Sequence, residues 1–304
     1  MFRRLRQMLV AMAASLFLCG PVAASEPGVL VLGRISDDPA AHYDQLKSLL
    51  DYVVPRMRDV GIREGRVLMA RDAKQMESYM RRGRVDWVTE TSASAMALEA
   101  RAGARPLLLT ERSGVDTYHT VFIARRDSGI SSLEDLGGRS IAFQNATSTS
   151  AYFMPAMVLI AHGLPMEILL SPFDRPVEGS VGYLFARSEF NISTWVHKGL
   201  VDAGAFSNLD WESARMPESY RRDLVAFHVT DGFPRALEMV RGDMSPAVAD
   251  RLREVLAGAA NDPAASEALQ RFFGTTRFLP IDDATRRSLD VLRTGVAQVA
   301  EVLE

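Results

Sequence analysis

The amino-acid sequence predicts an α/β fold with two lobes, each built on a mainly parallel sheet that is flanked by helices. The first observation is that short apolar, strand-like runs alternate with helical patterns along most of the chain. The second is an internal repeat, in which Arg81–Trp87 (RRGRVDW) resembles His197–Ala203 (HKGLVDA). In both copies a basic residue and a glycine end a helix before Val-Asp enters a strand. Because each copy follows its own strand–helix series, we expect two similar lobes with a ligand cleft between them, at the carboxyl ends of the strands.

The first half of the chain carries the strand–helix alternation. Continuous apolar runs predict buried strands at Gly28–Gly33, Val67–Ala70, Val85–Val88, Arg105–Leu109, Tyr118–Ala124 and Ile141–Phe143. Apolar residues at helical spacing predict helices from Tyr43 to about Pro55, over Lys74–Arg82, and from Ser92 to about Arg101. Proline ends or kinks the first of these helices because it has no backbone N–H to donate.

The late segments have no strand–helix series of their own, so we expect them to complete the first lobe. The patterns predict strands at Val225–Val229 and Ala236–Val240, and helices at Pro246–Ala257, Ala264–Phe272 and Asp283–Leu303. The last helix has an apolar stripe of Leu289, Leu292, Val296, Val299 and Val302. Lobe 1 is therefore predicted to comprise residues 25–117 and 231–304, and lobe 2 residues 118–230.

Residues 1–24 predict a signal peptide rather than part of the fold. Three arginines precede an apolar stretch, Met8–Leu18, that is too short to span a bilayer. Small residues then lead to Ala24, as a signal peptidase requires. We expect export to the periplasm with cleavage near Ala24. Cys19 leaves with this segment unless it is lipidated, which is the alternative.

Composition excludes several classes of function. The chain has one cysteine, which lies in the predicted signal, so the mature protein has neither disulfides nor thiolate metal sites. Loss of the three arginines lowers the formal charge from −3 to −6, which gives no electrostatic case for a nucleic-acid partner. None of the five histidines lies at metal-ligand spacing from another. We expect a monomer that needs no cofactor and no metal.

A hydroxyl-rich turn is the strongest candidate for a ligand site. Ser148, Thr149 and Ser150 follow the Ile141–Phe143 strand at the point where a helix is predicted to begin. A helix N-terminus carries unpaired N–H groups and a partial positive charge, so side-chain hydroxyls there complete a seat for a small oxyanion. The alternative is that Thr147 or Ser148 is only an N-cap.

Other candidates lie at predicted strand ends, each with a structural alternative. Arg34 ends the first strand, and Glu90, Thr91 and Ser92 follow the third; Tyr118 and His119 lie at the predicted crossover between lobes. Glu189 begins a predicted helix, and Asp202 repeats Asp86 in the duplicated motif. The acidic residues can equally serve helix dipoles or cap the repeated turn, and His119 can be an ordinary strand histidine. No nucleophile–base pair is visible, so we do not expect an enzyme.

Several segments together resemble the periplasmic phosphate-, phosphite- and phosphonate-binding proteins of ABC importers. They are Ser131–Phe143 (SSLEDLGGRSIAF), Ser148–Tyr152 (STSAY) with Pro155, Trp195–Ala205 (WVHKGLVDAGA), Phe233–Arg235 and Gly274–Phe278. The resemblance implies a type II solute-binding fold whose cleft closes on ligand. It also implies that Ser148–Ser150 hold the oxyanion, that Glu90, Thr91, Ser92 and Ala95 form the ligand turn of lobe 1, and that Asp202 lies in the wall of lobe 2.

The sequence also departs from that family pattern. The turn Thr89–Ala95 (TETSASA) lacks the family's aromatic residue, its Gly-Pro pair and its closing tyrosine, and Glu189 stands where the family often has histidine. A dianion beside Glu90 and Glu189 would be repelled, so we expect a zwitterionic ligand or a protonated oxyacid rather than ordinary phosphate. The predicted function is capture of a small phosphorus-type oxyanion for an ABC permease. The alternative is ligand sensing for a histidine kinase of the inner membrane.

Overall fold

The computed structural model describes residues 26–36 and 38–303; the predicted signal peptide lies outside this range. The strands, in chain order, are β1 (Val29–Ile35), β2 (Glu64–Ala70), β3 (Trp87–Thr91), β4 (Arg105–Arg112), β5 (Thr117–Tyr118), β6 (Thr120–Arg125), β7 (Ser140–Phe143), β8 (Met166–Ile168), β9 (Val181–Phe185), β10 (Ala203–Ser207), β11 (Leu224–Val229), β12 (Phe233–Pro234), β13 (Ala236–Val240) and β14 (Thr275–Leu279). The α-helices are α1 (Pro39–Val53), α2 (Ala73–Arg81), α3 (Ser92–Ala102), α4 (Met154–Ala161), α5 (Glu189–His197), α6 (Asn208–Trp211), α7 (Glu218–Asp223), α8 (Pro246–Gly258), α9 (Ser266–Arg271) and α10 (Asp283–Leu303).

Two six-stranded sheets and one small two-stranded sheet make up the fold. The first sheet has the order β14-β4-β13-β3-β1-β2, and the second has the order β11-β6-β10-β7-β9-β8. In the small sheet β5 pairs with β12. Along the chain, each of these two short strands lies between a strand of the first sheet and a strand of the second. The α/β prediction is therefore confirmed. The prediction of mainly parallel sheets holds for the second sheet, in which three of the five strand pairings are parallel. It is wrong for the first sheet, in which three of the five pairings are antiparallel. The antiparallel pairings of the first sheet are made by β13 and β14, which join it after the chain has passed through the second sheet.

The lobe boundaries stay a prediction, although the sheets are consistent with them. The first sheet takes its strands from residues 29–112 and 236–279, and the second from residues 120–229. The late segment Ala236–Val240 is a strand with the predicted bounds, and it inserts between β3 and β4. The chain passes from one large sheet to the other through the small sheet.

The repeated motif has the same structural role in both sheets. The carboxylate of Asp86 accepts the backbone N–H of Val31 at 2.8 Å, and that of Asp202 accepts the backbone N–H of Ser140 at 2.9 Å. Val31 and Ser140 lie in the neighbouring parallel strand in each case. Each aspartate therefore fastens the start of its own strand to the strand beside it.

The hydrophobic core continues from one sheet to the other. One cluster joins Met96 and Leu98 of α3 to Phe143 and Tyr152 on the side of the second sheet. Helix α10 contributes the buried side chains of Leu289, Leu292, Val296 and Val299, as the predicted stripe requires, whereas Val302 is exposed. Within residues 26–36 and 38–303, no helix is long and apolar enough to cross a membrane.

Candidate ligand-binding site

A polar cavity of about 660 Å³ lies where the carboxyl ends of the parallel strands from both sheets meet. From the side of the first sheet it is lined by Arg34, Ile35, Ser36, His42, Arg71, Asp72, Glu90, Thr91, Arg112 and Arg235. Tyr118 of β5 and, from the side of the second sheet, Gln144, Asn145, Ala146, Thr147, Ser148, Ser150, Arg187, Glu189, Ser207, Leu209 and Asp210 complete it. Seven of the predicted site residues line this one cavity: Arg34, Glu90, Thr91, Tyr118, Ser148, Ser150 and Glu189.

Three arginines dominate the wall of the first sheet. Arg34 is near the end of β1, Arg112 ends β4, and Arg235 lies between β12 and β13. Nε and Nη1 of Arg34 and Nε of Arg112 are buried and have no hydrogen-bond partner in the described part of the chain. Buried N–H donors are nearly always satisfied in native proteins, so unpaired donors beside a cavity indicate an anionic ligand.

Glu90 lines the cavity beside these arginines, and its charge is not left uncompensated. Its carboxylate accepts the backbone N–H of Ile35 at 2.9 Å, and the residue is 4% exposed. Burial raises the pKa of Glu90, while the positive charges of Arg34 and Arg112 oppose that rise. Because two guanidinium groups compensate it, Glu90 does not exclude an anion from the cavity.

The opposite wall contains two of the three predicted hydroxyls. Ser148 and Ser150 line the cavity at the start of a wide, π-type turn, Thr149–Phe153, that leads into α4. The hydroxyl of Ser148 also accepts the N–H of Ala151 at 3.2 Å, so the predicted N-cap is present together with the predicted exposure to the cleft. Tyr118 lines the same cavity, and burial raises the pKa of its phenol to about 12, so Tyr118 stays protonated.

A pair of carboxylates, Glu189 and Asp210, lies on the same side of the cavity. Glu189 is the first residue of α5, and Asp210 accepts a hydrogen bond from the hydroxyl of Ser207 at the start of α6. Burial raises the pKa of Glu189 to about 7, and the negative charge of Asp210 adds to the rise. Glu189 is therefore poised to gain or lose a proton near neutral pH.

Four predicted site residues lie outside the cavity. Thr149 is fully buried and its hydroxyl accepts the N–H of Ala93, while Ser92 is fully buried at the start of α3. His119 is held by its backbone, which exchanges hydrogen bonds with Asn208. Asp202 is occupied by Ser140 and by an ion pair with Arg139 at 3.3 Å. These contacts make Asp202 a structural residue, the alternative that its resemblance to Asp86 had suggested.

Sequence reasoning missed most of the positive charge in the cavity. Arg71, Arg112, Arg187 and Arg235 line it besides Arg34, against the carboxylates of Asp72, Glu90, Glu189 and Asp210. The signal was available, because Arg71 and Arg112 lie at strand ends as Arg34 does. The expectation of a zwitterionic or protonated ligand was argued from Glu90 and Glu189 without these arginines, and it stays a prediction.

Two sheets flanked by helices, with a cavity at the strand ends, are the fold of the type II periplasmic binding proteins. Residues 35–285 match the family described as "ABC transporter, phosphonate, periplasmic substrate-binding protein". The chain belongs to this family, and it is the periplasmic substrate-binding component of an ABC transporter for phosphonate-type ligands, with a permease partner in the inner membrane.

Solved structures support the assignment. The chain is 56% identical to XAC2383 from Xanthomonas citri bound to chloride ion, over 90% of this chain and 99% of that one, with a TM-score of 0.87. It is 55% identical to the same protein bound to ATP, over 91% and 100% of the two chains, also with a TM-score of 0.87. PhnD1 from Prochlorococcus marinus in complex with methylphosphonate shares the fold at 18% identity, over 91% and 100% of the chains, with a TM-score of 0.61.

Proposed function

We propose that this protein binds the phosphoryl or phosphonyl oxygens of its ligand between Arg34, Arg112 and Arg235 on one side and Ser148 and Ser150 on the other. The observation that carries the proposal is the set of buried, unpaired N–H donors on Arg34 and Arg112. Arginine matches the planar geometry of a phosphoryl oxygen pair, and the serine hydroxyls can donate to the remaining oxygens. Lobe closure then reports occupancy to the membrane partner, and no bond of the ligand is broken.

The ligand we infer is a phosphate compound larger than phosphate or methylphosphonate. A cavity of about 660 Å³ is within the range of sites for drug-sized ligands, and five arginines offer more positive charge than one phosphoryl group needs. The relative that is 55% identical is bound to ATP. A nucleoside phosphate is therefore our first candidate, ahead of the zwitterionic phosphonate that the sequence alone had suggested.

Ligand sensing for an inner-membrane histidine kinase stays the alternative role for the same site. Binding in the cleft would be unchanged, and only the protein that receives the closed form would differ. Deletion of the gene separates the two roles: a transporter component is needed for uptake of labelled ligand, whereas a sensor is needed for the transcriptional response to it.

Calorimetric titration of the mature protein tests the binding proposal. The panel is ATP, AMP, pyrophosphate, phosphate, methylphosphonate and 2-aminoethylphosphonate. We expect ATP to bind most tightly and Arg34→Gln to weaken it about 10- to 100-fold, because a charge-assisted hydrogen bond contributes about 1.5–3 kcal/mol. Arg66→Gln makes the same charge change at a pair with Glu26 outside the cavity, so it serves as the control.

Each outcome of the titration bears on a separate part of the proposal. If Arg34→Gln and Arg66→Gln bind ATP as tightly as the wild type, the arginine wall is not the anion site. If only a monophosphonate binds, the arginines are still supported as the anion site, but the inference of a larger phosphate compound is wrong. If no compound in the panel binds, phosphoryl capture by this cavity is refuted for these classes of ligand.

A further inference from the structure

One aromatic ring lies against both of the arginines that carry unpaired donors. The guanidinium carbon of Arg34 is 4.2 Å from the centroid of the Phe273 ring, and that of Arg112 is 4.8 Å from it. Both distances are within the range of favourable cation–π contacts. Within the described part of the chain, Arg34 and Arg112 line the cavity but Phe273 does not. The ring therefore supports the arginines from outside the ligand space.

Hydrogen bonds do little to orient these two side chains. Nε and Nη1 of Arg34 have no partner among the described residues, and Arg112 donates through Nη2 to the hydroxyl of Thr89 at 3.2 Å. Glu90 attracts both guanidinium groups by its charge. A charge alone does not fix the plane of a guanidinium group, whereas stacking on the face of a ring does.

The backbone of Phe273 is in a conformation that phenylalanine rarely adopts. Its φ is +54°, in the left-handed region, shortly after the end of α9. Glycine or asparagine is usual at such a position, and Gly274 with φ +63° follows directly. A bulky residue kept in a strained conformation beside a ligand cavity indicates that its side chain has a role there.

We propose that Phe273 is a positioning residue, whose ring holds the guanidinium groups of Arg34 and Arg112 so that their unpaired N–H groups face the bound anion. The inference rests on the proposed function for the identity of the anion, but the placement of the arginines by the ring can be tested without any ligand. In the absence of the ring the two side chains sample other rotamers, and binding has to order them again.

The binding test compares substitutions at Phe273 with one at its neighbour. With ATP as the probe, we expect Phe273→Leu to weaken affinity about tenfold, the effect of losing cation–π contacts in a desolvated site, and Phe273→Tyr to keep wild-type affinity. Phe272→Leu is the control, because Phe272 is fully buried with its ring centroid 5.2 Å from that of Phe273. It should lower the melting temperature and leave affinity unchanged. Phe273→Gly removes the ring and also relieves the left-handed strain, so weak binding by a stably folded Phe273→Gly excludes a general loss of structure.

A spectroscopic test needs no ligand. In ¹⁵N-arginine spectra of the ligand-free protein, the ring current of Phe273 should shift the Nε–H signals of Arg34 and Arg112, which Arg34→Lys and Arg112→Lys assign. Phe273→Leu should abolish both shifts, and Phe273→Tyr should keep them. Unchanged signals in Phe273→Leu, or equal affinities of Phe273→Leu and Phe273→Tyr where ATP binds, would overturn the proposal. If the signals respond but the wild type binds no phosphate compound, the positioning stands and the proposed function is what fails.

Discussion

Glu189 gives the sharpest prediction about the dependence of stability on pH. An ordinary glutamate has a pKa near 4.5, and burial beside Asp210 raises that of Glu189 to about 7 in the folded protein. Between these values the folded state keeps a proton that the unfolded chain has released, so the free energy of unfolding falls as pH rises. Below about pH 4.5 Glu189 is protonated in both states, and above about pH 7 it is ionised in both. Because of this difference in pKa, the free energy of unfolding decreases by about 3 kcal/mol between pH 4.5 and pH 8.

Urea unfolding of wild type and Glu189→Gln at a series of pH values measures this effect. Burial also raises the pKa of Glu90, Glu238 and Asp86, so the wild-type curve alone mixes several groups. Their contributions are common to both proteins and cancel in the difference between them. We expect the free energy of unfolding of Glu189→Gln, relative to that of the wild type, to increase by about 3 kcal/mol as pH rises from 4.5 to 8. Parallel curves for the two proteins would refute the assignment of a raised pKa to Glu189.

The same ionisation acts on the ligand. A carboxylate that becomes charged inside the cavity repels a phosphoryl anion, so affinity for ATP should fall as pH rises through about 7. In Glu189→Gln this fall should disappear, apart from the titration of the ligand itself. Asp210 is one of the causes of the raised pKa of Glu189. The same measurement of ATP affinity against pH with Asp210→Asn therefore gives the contribution of Asp210.

Three further predictions distinguish residues that bind the ligand from residues that stabilise the fold. Because Ser150 lines the cavity, Ser150→Ala should weaken ATP binding about fivefold in calorimetry, while thermal unfolding should show a melting temperature within a few degrees of wild type. Thr149→Val should lower the free energy of unfolding by about 1–3 kcal/mol in urea titrations, since it leaves the buried N–H of Ala93 unpaired; a larger effect on affinity than that of Ser150→Ala would contradict this assignment. Asp202→Asn should destabilise the fold and keep ATP affinity, and a selective loss of affinity would return Asp202 to the ligand site.

The sequence was most informative where one local pattern decides the outcome. The strand Ala236–Val240 and the helix Asp283–Leu303 have their predicted bounds because a short apolar run and a long amphipathic stripe are each sufficient to specify an element. The repeated Val-Asp turn correctly indicated two similar units, since Asp86 and Asp202 each bind the strand beside them. The antiparallel neighbours of β13 were not predictable in this way, because they depend on where the chain returns after leaving the second sheet.

The charge of the candidate site was the main failure of sequence reasoning. Glu90 and Glu189 were predicted because they follow strands or begin helices. Among the arginines, the same reasoning selected only Arg34. Arg112 and Arg235 are separated by more than a hundred residues, and Arg235 donates to the backbone carbonyl of Arg112 at 2.6 Å. The pairing of β12 with β5 and the insertion of β13 beside β4 bring them together. Reasoning from Glu90 and Glu189 alone therefore made the cavity look too acidic, since the arginines that meet there come from distant segments.

The turn that was predicted to seat the anion also connects the two sheets. The hydroxyl of Thr149 accepts the N–H of Ala93, an N–H group at the start of α3 that has no partner within the helix. The hydroxyls of Thr91 and Ser94 donate to the carbonyl of Thr147. A helix that follows β3 of the first sheet is thus capped by a residue that follows β7 of the second sheet, in addition to the shared apolar core. A ligand seated at Ser148 and Ser150 would therefore contact the same short turn that ties α3 to the second sheet.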